Sequence, residues 1–439
     1  MEKFCKEYMS FLGSCKTERE CAAFFSKSAE KAGFKPLERD KAYKAGDKVY
    51  LCQRGKGVAL ARLGKKPLSE GVNMVIAHID SPSLDLKPNP LYEEDSLGYF
   101  KTHYYGGIKK YQWTAIPLAL HGVAVKKGGE VLSFAIGEKP EEPTFYISDL
   151  LPHLAEEQMK KSLRTGIEGE DLNIMIGSDT PKDEGEKKKE EKSALKKNLL
   201  ALLKKEYGIE EKMLHSAEFE MVPAFLPREI GFDRSLIAGY GHDDRVCAYT
   251  AFRAIADSKG TPETTELVYL CDKEEIGSVG NAAAMGKWIE SFLADLGKLE
   301  YRDLLHAMDE SKCISADVTA AFDPSFANVA DKRNAAFLNK GIAIEKYTGA
   351  RGKSGASDAH AEFLASVIEK LDEHKVSWQI GELGKVDLGG GGTVACDIVN
   401  RGIDTLDMGV PVISMHSPYE LVAKKDVFSA YEAYKAFFA

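Results

Sequence analysis

His78 and Asp80 stand one residue apart in "AHIDSP" (77–82), and "DKEEIGS" (272–278) sets Asp272, Glu274 and Glu275 directly behind the apolar run Leu267 to Cys271. In an extended segment, period two puts His78 and Asp80 on one side. A carboxylate beside an imidazole fixes its tautomer and strengthens its remaining nitrogen as a metal ligand. Adjacent glutamates admit a division of labour, one binding a metal and the other moving a proton. A solvated turn could carry the same residues, so neither stretch decides alone. Three further clusters join them: "GHDDR" (241–245), Asp317 after "CISA", and His416 after "PVISM". Asp243 and Asp244 could equally cap the helix that follows them.

Together the clusters weigh more. Two imidazoles and three carboxylates make a hard-to-borderline N/O ligand set suited to zinc, cobalt or manganese. Five ligands exceed what one catalytic zinc takes and fit a pair of ions about 3.5–4 Å apart, bridged by one carboxylate. One of Glu274 and Glu275 then ligates while the other deprotonates water. The stretch reads as a hydrolase loop. Other chemistries lack their motifs: there is no G-x-S-x-G elbow and no Walker loop, and none of the eight cysteines forms a C-x-x-C pair. "GGGGT" (389–393) reads as a substrate-lining loop.

These residues need a scaffold that brings strand tips to one edge. "VNMVIAHID", "TELVYLC", "KCISADV" and "VPVISM" are short apolar runs that alternate, from Gly231 on, with helical patterns such as "RVCAYTAFRAIADSKG" and "SDAHAEFLASVIEKLDEH". That alternation argues for an α/β fold with a central, mostly parallel sheet flanked by helices, and in such sheets ligands bind beyond the carboxyl ends of the strands. Upstream, Thr17 and Glu20 have capping-box spacing, and "KVYLCQ" and "GVALARL" flank "RGKG" as a hairpin. Between Leu91 and Arg228 the character changes to hairpin-like stretches. The economical organisation is one α/β domain built from residues 1–90 and 229–439, with a β-rich domain, 91–228, inserted. A charged insertion at about 169–192 ends in "KDEGEKKKEEK", ten of whose eleven residues are charged; it reads as solvated.

The chain has 439 residues, 44% hydrophobic and 29% charged, enough for about two globular domains. A net charge of −9 argues against nucleic acid and anionic membranes as partners. The first twenty residues show no secretory signal, and no run approaches a spanning helix. A cytoplasmic, reducing compartment is expected.

In order, "AHIDSP", "GHDDR", "DKEEIGS", "SADVTAAFDP" (315–324) and "MHSPYE" (415–420) resemble the M18 metallopeptidases, the aspartyl aminopeptidase family, over essentially the whole chain. M42 aminopeptidases share a similar site, but the "DSP" and "MHSxxE" wording is that of M18. The resemblance implies a zinc-exopeptidase type of fold and a metal pair, usually zinc. Its ligands would be His78, Asp243, Glu275, Asp317 and His416, with Asp80 orienting His78 and Glu274 as general base. "GHDDR" departs from the usual Leu-Asp-Asn wording, which leaves Asp244 as the alternative bridge. The resemblance also implies peptide substrates with a free N-terminus, often Asp or Glu, and a dodecamer built from dimers. The inserted domain would supply dimer contacts and lend His153 to a neighbouring site. An acidic pocket needs a cation, for which Lys346 and Arg351 are candidates. The remaining alternatives are a leucine- or neutral-preferring aminopeptidase and a paired-metal deacylase.

Overall fold

Strand Val72–His78, which ends on the first candidate imidazole, lies inside a nine-stranded sheet. Val75 and Ala77 pack into one buried cluster, and Met74 and Ile76 into another. A strand covered on both faces reads as a near-continuous apolar run, so Met74–Ala77 carries no polar alternation. The computed structural model describes residues 1–179 and 193–439.

The sheet runs Lys35–Pro36, Lys48–Gln53, Gly57–Arg62, Thr265–Cys271, Val72–His78, Lys312–Ser315, Asp404–Gly409, Ile342–Glu345, Trp378–Ile380. Five of its eight neighbouring pairs are parallel, as the alternating pattern predicts. Helices Glu2–Ser14, Glu18–Lys31, His242–Asp257, Ala361–Glu373 and Lys424–Phe438 cover one face. Trp288–Gly297 and Tyr301–Asp309 cover the other. The capping box forms: Thr17 Oγ1 accepts from Glu20 N at 3.3 Å, and Glu20 Oε2 accepts from Thr17 N at 3.2 Å.

By contacts the chain divides into two compact units. The first comprises Met1–Ser81, Pro227–Met415 and Tyr419–Ala439; the second comprises Pro82–Leu226 and His416–Pro418. The second holds a six-stranded sheet, Val131–Ile136, Leu118–Val125, Glu218–Pro223, Ser83–Glu94, Leu97–Tyr105 and Ile174–Gly177. All its pairings are antiparallel. The expected boundary at 90/91 falls inside strand Ser83–Glu94, and the observed division lies at Ser81/Pro82. That strand contains Pro88 and Pro90 and has a register shift between Leu86 and Leu91, so its sequence lacks a strand's alternation. Of the stretch expected as a charged insertion, Gly169–Asp171 forms a 3-10 turn and Ile174–Gly177 is the edge strand of this sheet. Its run of charges lies outside the described residues.

A second departure concerns "PVISM". Pro411–Ile413 joins a separate five-stranded sheet in the first unit, with Arg228–Ile230, Leu236–Gly239, Glu420–Ala423 and Thr319–Ala320. Three-residue strands leave too short an apolar run to reveal which sheet they enter. Among the described residues, no helix is long and apolar enough to cross a membrane.

Candidate metal centre

Parallel register brings three strand ends together. Cys271 pairs with His78 on one side of the central strand, and Ser315 pairs with Ile76 on the other. The residues just past those ends are Asp80, Glu274, Glu275 and Asp317, which therefore reach one edge of the sheet. Asp243 arrives from the head of helix His242–Asp257, where Asp243 and Asp244 keep non-helical dihedrals. Gly241, with φ 76°, turns the chain into that head. A Cβ there would lie 2.2 Å from Arg245 Nη1 and 2.9 Å from Ser81 Oγ, so only glycine fits.

His78 is the hub. Its Nε2 lies 3.1 Å from Asp243 Oδ1, 3.8 Å from Glu274 Oε2 and 3.8 Å from Asp317 Oδ1. Its Nδ1 faces Asp80, 3.0 Å from the backbone oxygen and 3.3 Å from Oδ1. The carboxylate of Asp80 also reaches the glutamate loop, where Oδ1 accepts from Glu274 N and Oδ2 from Glu275 N, each at 3.2 Å. One side chain thus holds the imidazole and the backbone of both glutamates.

The two aspartates of "GHDDR" divide the imidazole residue between them. Asp243 points at Nε2, whereas Asp244 Oδ2 accepts from the backbone N–H of His78 at 3.2 Å. The Asp243 peptide is fixed from both sides, its N–H donating to Glu420 Oε2 at 3.0 Å and its carbonyl accepting from Ser81 Oγ at 2.6 Å. The sequence signal for these supports was Glu420 and Ser81 standing inside motifs that already held candidate ligands.

The electrostatics fit a cation. Burial alone would lower His78, but hydrogen bonds to Asp243 and Asp80 and the charges of Asp80 and Glu274 outweigh it and raise the imidazole well above its usual value. Asp317 is raised by burial first and then by Asp244, with Glu274 and Asp243 adding to it. Asp244 is raised by burial and by Asp243. Buried acids this close must take up protons unless a positive charge replaces them. Two groups bring ligand atoms within 4.8 Å of one another: His78 with Asp243 and Glu275, and His78 with Glu274 and Asp317. The neighbouring Cys271 thiol is pushed up by burial and donates to Ala77 O at 3.5 Å, so the donor set is nitrogen and oxygen. These residues suit zinc.

The remaining candidates are not in those two groups. Lys346 Nζ pairs with Asp358 at 2.7 Å, and Lys353 shares that carboxylate at 2.8 Å. Arg351 has φ 50° and lines a small cavity with Lys353, Lys385, Glu345 and Glu382. His153 is exposed on the 3-10 turn Pro152–Leu154 of the second unit. His416 groups with that unit too, its Nδ1 2.8 Å from Gly107 O.

A family model described as "Aminopeptidase I zinc metalloprotease (M18)" matches residues 11–438. The chain belongs to the M18 aminopeptidase family. A probable M18 family aminopeptidase 1 from Clostridium acetobutylicum is 47% identical over 438 residues, 98% of this chain and 93% of its own. The M18 aminopeptidase structure from Thermotoga maritima matches with TM-score 0.94 at 45% identity, covering 100% of this chain and 96% of its own. The S. cerevisiae mApe1 dodecamer, at 23% identity and TM-score 0.77, covers 99% of this chain and 95% of its own and shares the fold. As an M18 member the chain is a metallo-aminopeptidase, from a family described as zinc metalloproteases.

Proposed function

We propose that this enzyme uses two zinc ions to release N-terminal residues from peptides, with a preference for Asp and Glu. Asp243 would bridge the ions, His78, Glu275 and Asp317 would complete the ligands of the first unit, and His416 would be the fifth on the strength of its motif. Glu274 is the general base. The observation that carries this reading is the convergence of Asp243, Glu274 and Asp317 within 3.8 Å of His78 Nε2. Zinc, when bound, supplies Lewis acidity that polarises the scissile carbonyl and eases ionisation of water. Glu274 takes the proton of the attacking water and delivers it to the leaving amine. Asp80, through Glu274 N and Glu275 N, keeps base and ligand in register. A carboxylate of the cluster pairs with the substrate's free α-ammonium, which restricts cleavage to the N-terminus.

Acidic preference rests on Arg351 and Lys346 meeting the substrate's carboxylate. A neutral-preferring enzyme is the second reading, and the Lys346–Asp358 pair at 2.7 Å favours it, since that ammonium already has a carboxylate. For assembly, we carry over the dodecamer from the S. cerevisiae relative. In it the second unit would make dimer contacts and His153 would reach a neighbouring site. All eight cysteines are free, which suits the cytoplasm.

The test is release of p-nitroaniline from Asp, Glu, Leu and Lys substrates by zinc-, cobalt- or manganese-loaded enzyme, with N-acetylated controls and with the Glu274→Gln variant. Two zinc per chain, activity on free Asp and Glu substrates, and a Glu274→Gln variant that keeps its metal but not its turnover are expected. Faster release from Leu removes the acidic pocket. Cleavage of the N-acetylated compounds alone points to a deacylase.

A further inference from the structure

The loop that carries Glu274 and Glu275 has two limbs, and Asp80 fixes only the first. The far limb bonds back onto the near one: Asp272 N donates to Ala282 O at 3.1 Å and Met285 N to Ser278 O at 3.2 Å. Gly286 approaches so closely that a Cβ would lie 2.7 Å from Gly280 O. Hence a shift of the far limb is passed to the near limb through these contacts.

Arg401 holds the far limb. Its Nη2 donates to Ala284 O at 2.6 Å and Gly286 O at 3.1 Å, its Nε to Glu290 Oε1 at 2.9 Å, and its Nη1 to Asp397 O at 2.5 Å. The side chain is only 7% exposed, so its contacts are largely shielded from water. Arg401 follows the short helix Ala395–Val399, and its Nη1 bond to Asp397 O ties the guanidinium back to that helix. One side chain therefore grips the far limb at Ala284 and Gly286.

We propose that Arg401 is a positioning residue for hydrolysis: it aligns the general base Glu274 by clamping the far limb of its loop. The inference rests on the role assigned above to Glu274. A lysine cannot replace the clamp, because one ammonium lacks the planar fork that serves a carboxylate and three carbonyls at once.

The experiment uses full-length, zinc-loaded enzyme on its best p-nitroanilide. Arg401→Ala is expected to lower kcat by roughly 10–100-fold, the usual cost of losing an outer support of a metal site, with KM and zinc content near wild type. Arg401→Lys should recover little, whereas millimolar methylguanidinium should raise kcat of Arg401→Ala several-fold, and tetramethylammonium should not. If Arg401→Ala does not fold, Glu290→Gln weakens only the carboxylate contact that orients the guanidinium and should still lower kcat with unchanged melting. Unchanged kcat in the folded variant, or a loss that follows zinc or folded fraction and is not rescued, overturns the proposal. Glu274→Gln is measured alongside. If it stays active, the assignment of the base fails; if it is dead while Arg401→Ala is fully active, only the clamp fails.

Discussion

Asp80→Asn changes one charge and almost no volume, and the geometry fixes what it should do. The carboxylate accepts from Glu274 N through Oδ1 and from Glu275 N through Oδ2, each at 3.2 Å, and faces His78 Nδ1 at 3.3 Å. An amide has one acceptor oxygen, so one glutamate N–H must meet an NH2 group instead. Losing one charge-assisted bond costs about 1.5–3 kcal/mol, which is about 10–150-fold at 1.36 kcal/mol per decade. His78 keeps the Asp80 backbone oxygen at 3.0 Å, so the larger effect should fall on Glu274 and Glu275. We expect kcat at saturating zinc to drop by about that factor, with zinc affinity lowered as well. Chelator competition gives the affinity, and steady-state hydrolysis in excess zinc gives kcat. Wild-type kcat under saturating zinc would show that Asp80 does not align the base, whatever happens to affinity.

Further perturbations test the same scaffold. A Cβ at Gly409 would lie 1.6 Å from Asp317 O. Gly409→Ala should therefore cost about 1–3 kcal/mol of stability and weaken zinc binding, read by thermal melting and metal titration. In the metal-free protein His78 and Asp317 bind protons well above their usual ranges, and a metal must displace them. Zinc affinity should thus rise with pH up to and beyond the usual imidazole range; a flat profile in competition titrations would refute this. Glu345 is raised to about 8 by burial, so the folded chain holds a proton there that the unfolded chain releases in the ordinary carboxylate range. Stability should fall as pH rises from that range towards 8, and Glu345→Gln should flatten this slope in denaturant melts.

Much of the centre was legible because its residues sit just past apolar runs, and parallel pairing turns such positions into neighbours. Cys271 opposite His78 is the register that makes "YLCDKEE" and "IAHID" one site. Less legible were the groups that hold ligands through backbone. Glu420 binds the N–H of Asp243 from 177 residues away, and no local period signals such a contact. Ser83–Glu94 read as a boundary because prolines and charges hide a strand whose partners lie beyond it in sequence. The Lys346–Asp358 pair spans only twelve residues, yet a loop's charges show their pairing only once its turns are known.

The place of Val72–His78 has a consequence for how the chain is made. Both its edges are taken by strands that follow the long segment of the second unit, Pro82–Leu226: Thr265–Cys271 and Lys312–Ser315. During synthesis this apolar strand emerges early and waits with both edges bare while roughly 190 residues are added, on the order of ten to forty seconds at usual elongation rates. Until then it is the kind of exposed segment that recruits other chains. Slowing translation between the two should favour aggregation, and a chaperone that shields short apolar strands should relieve it.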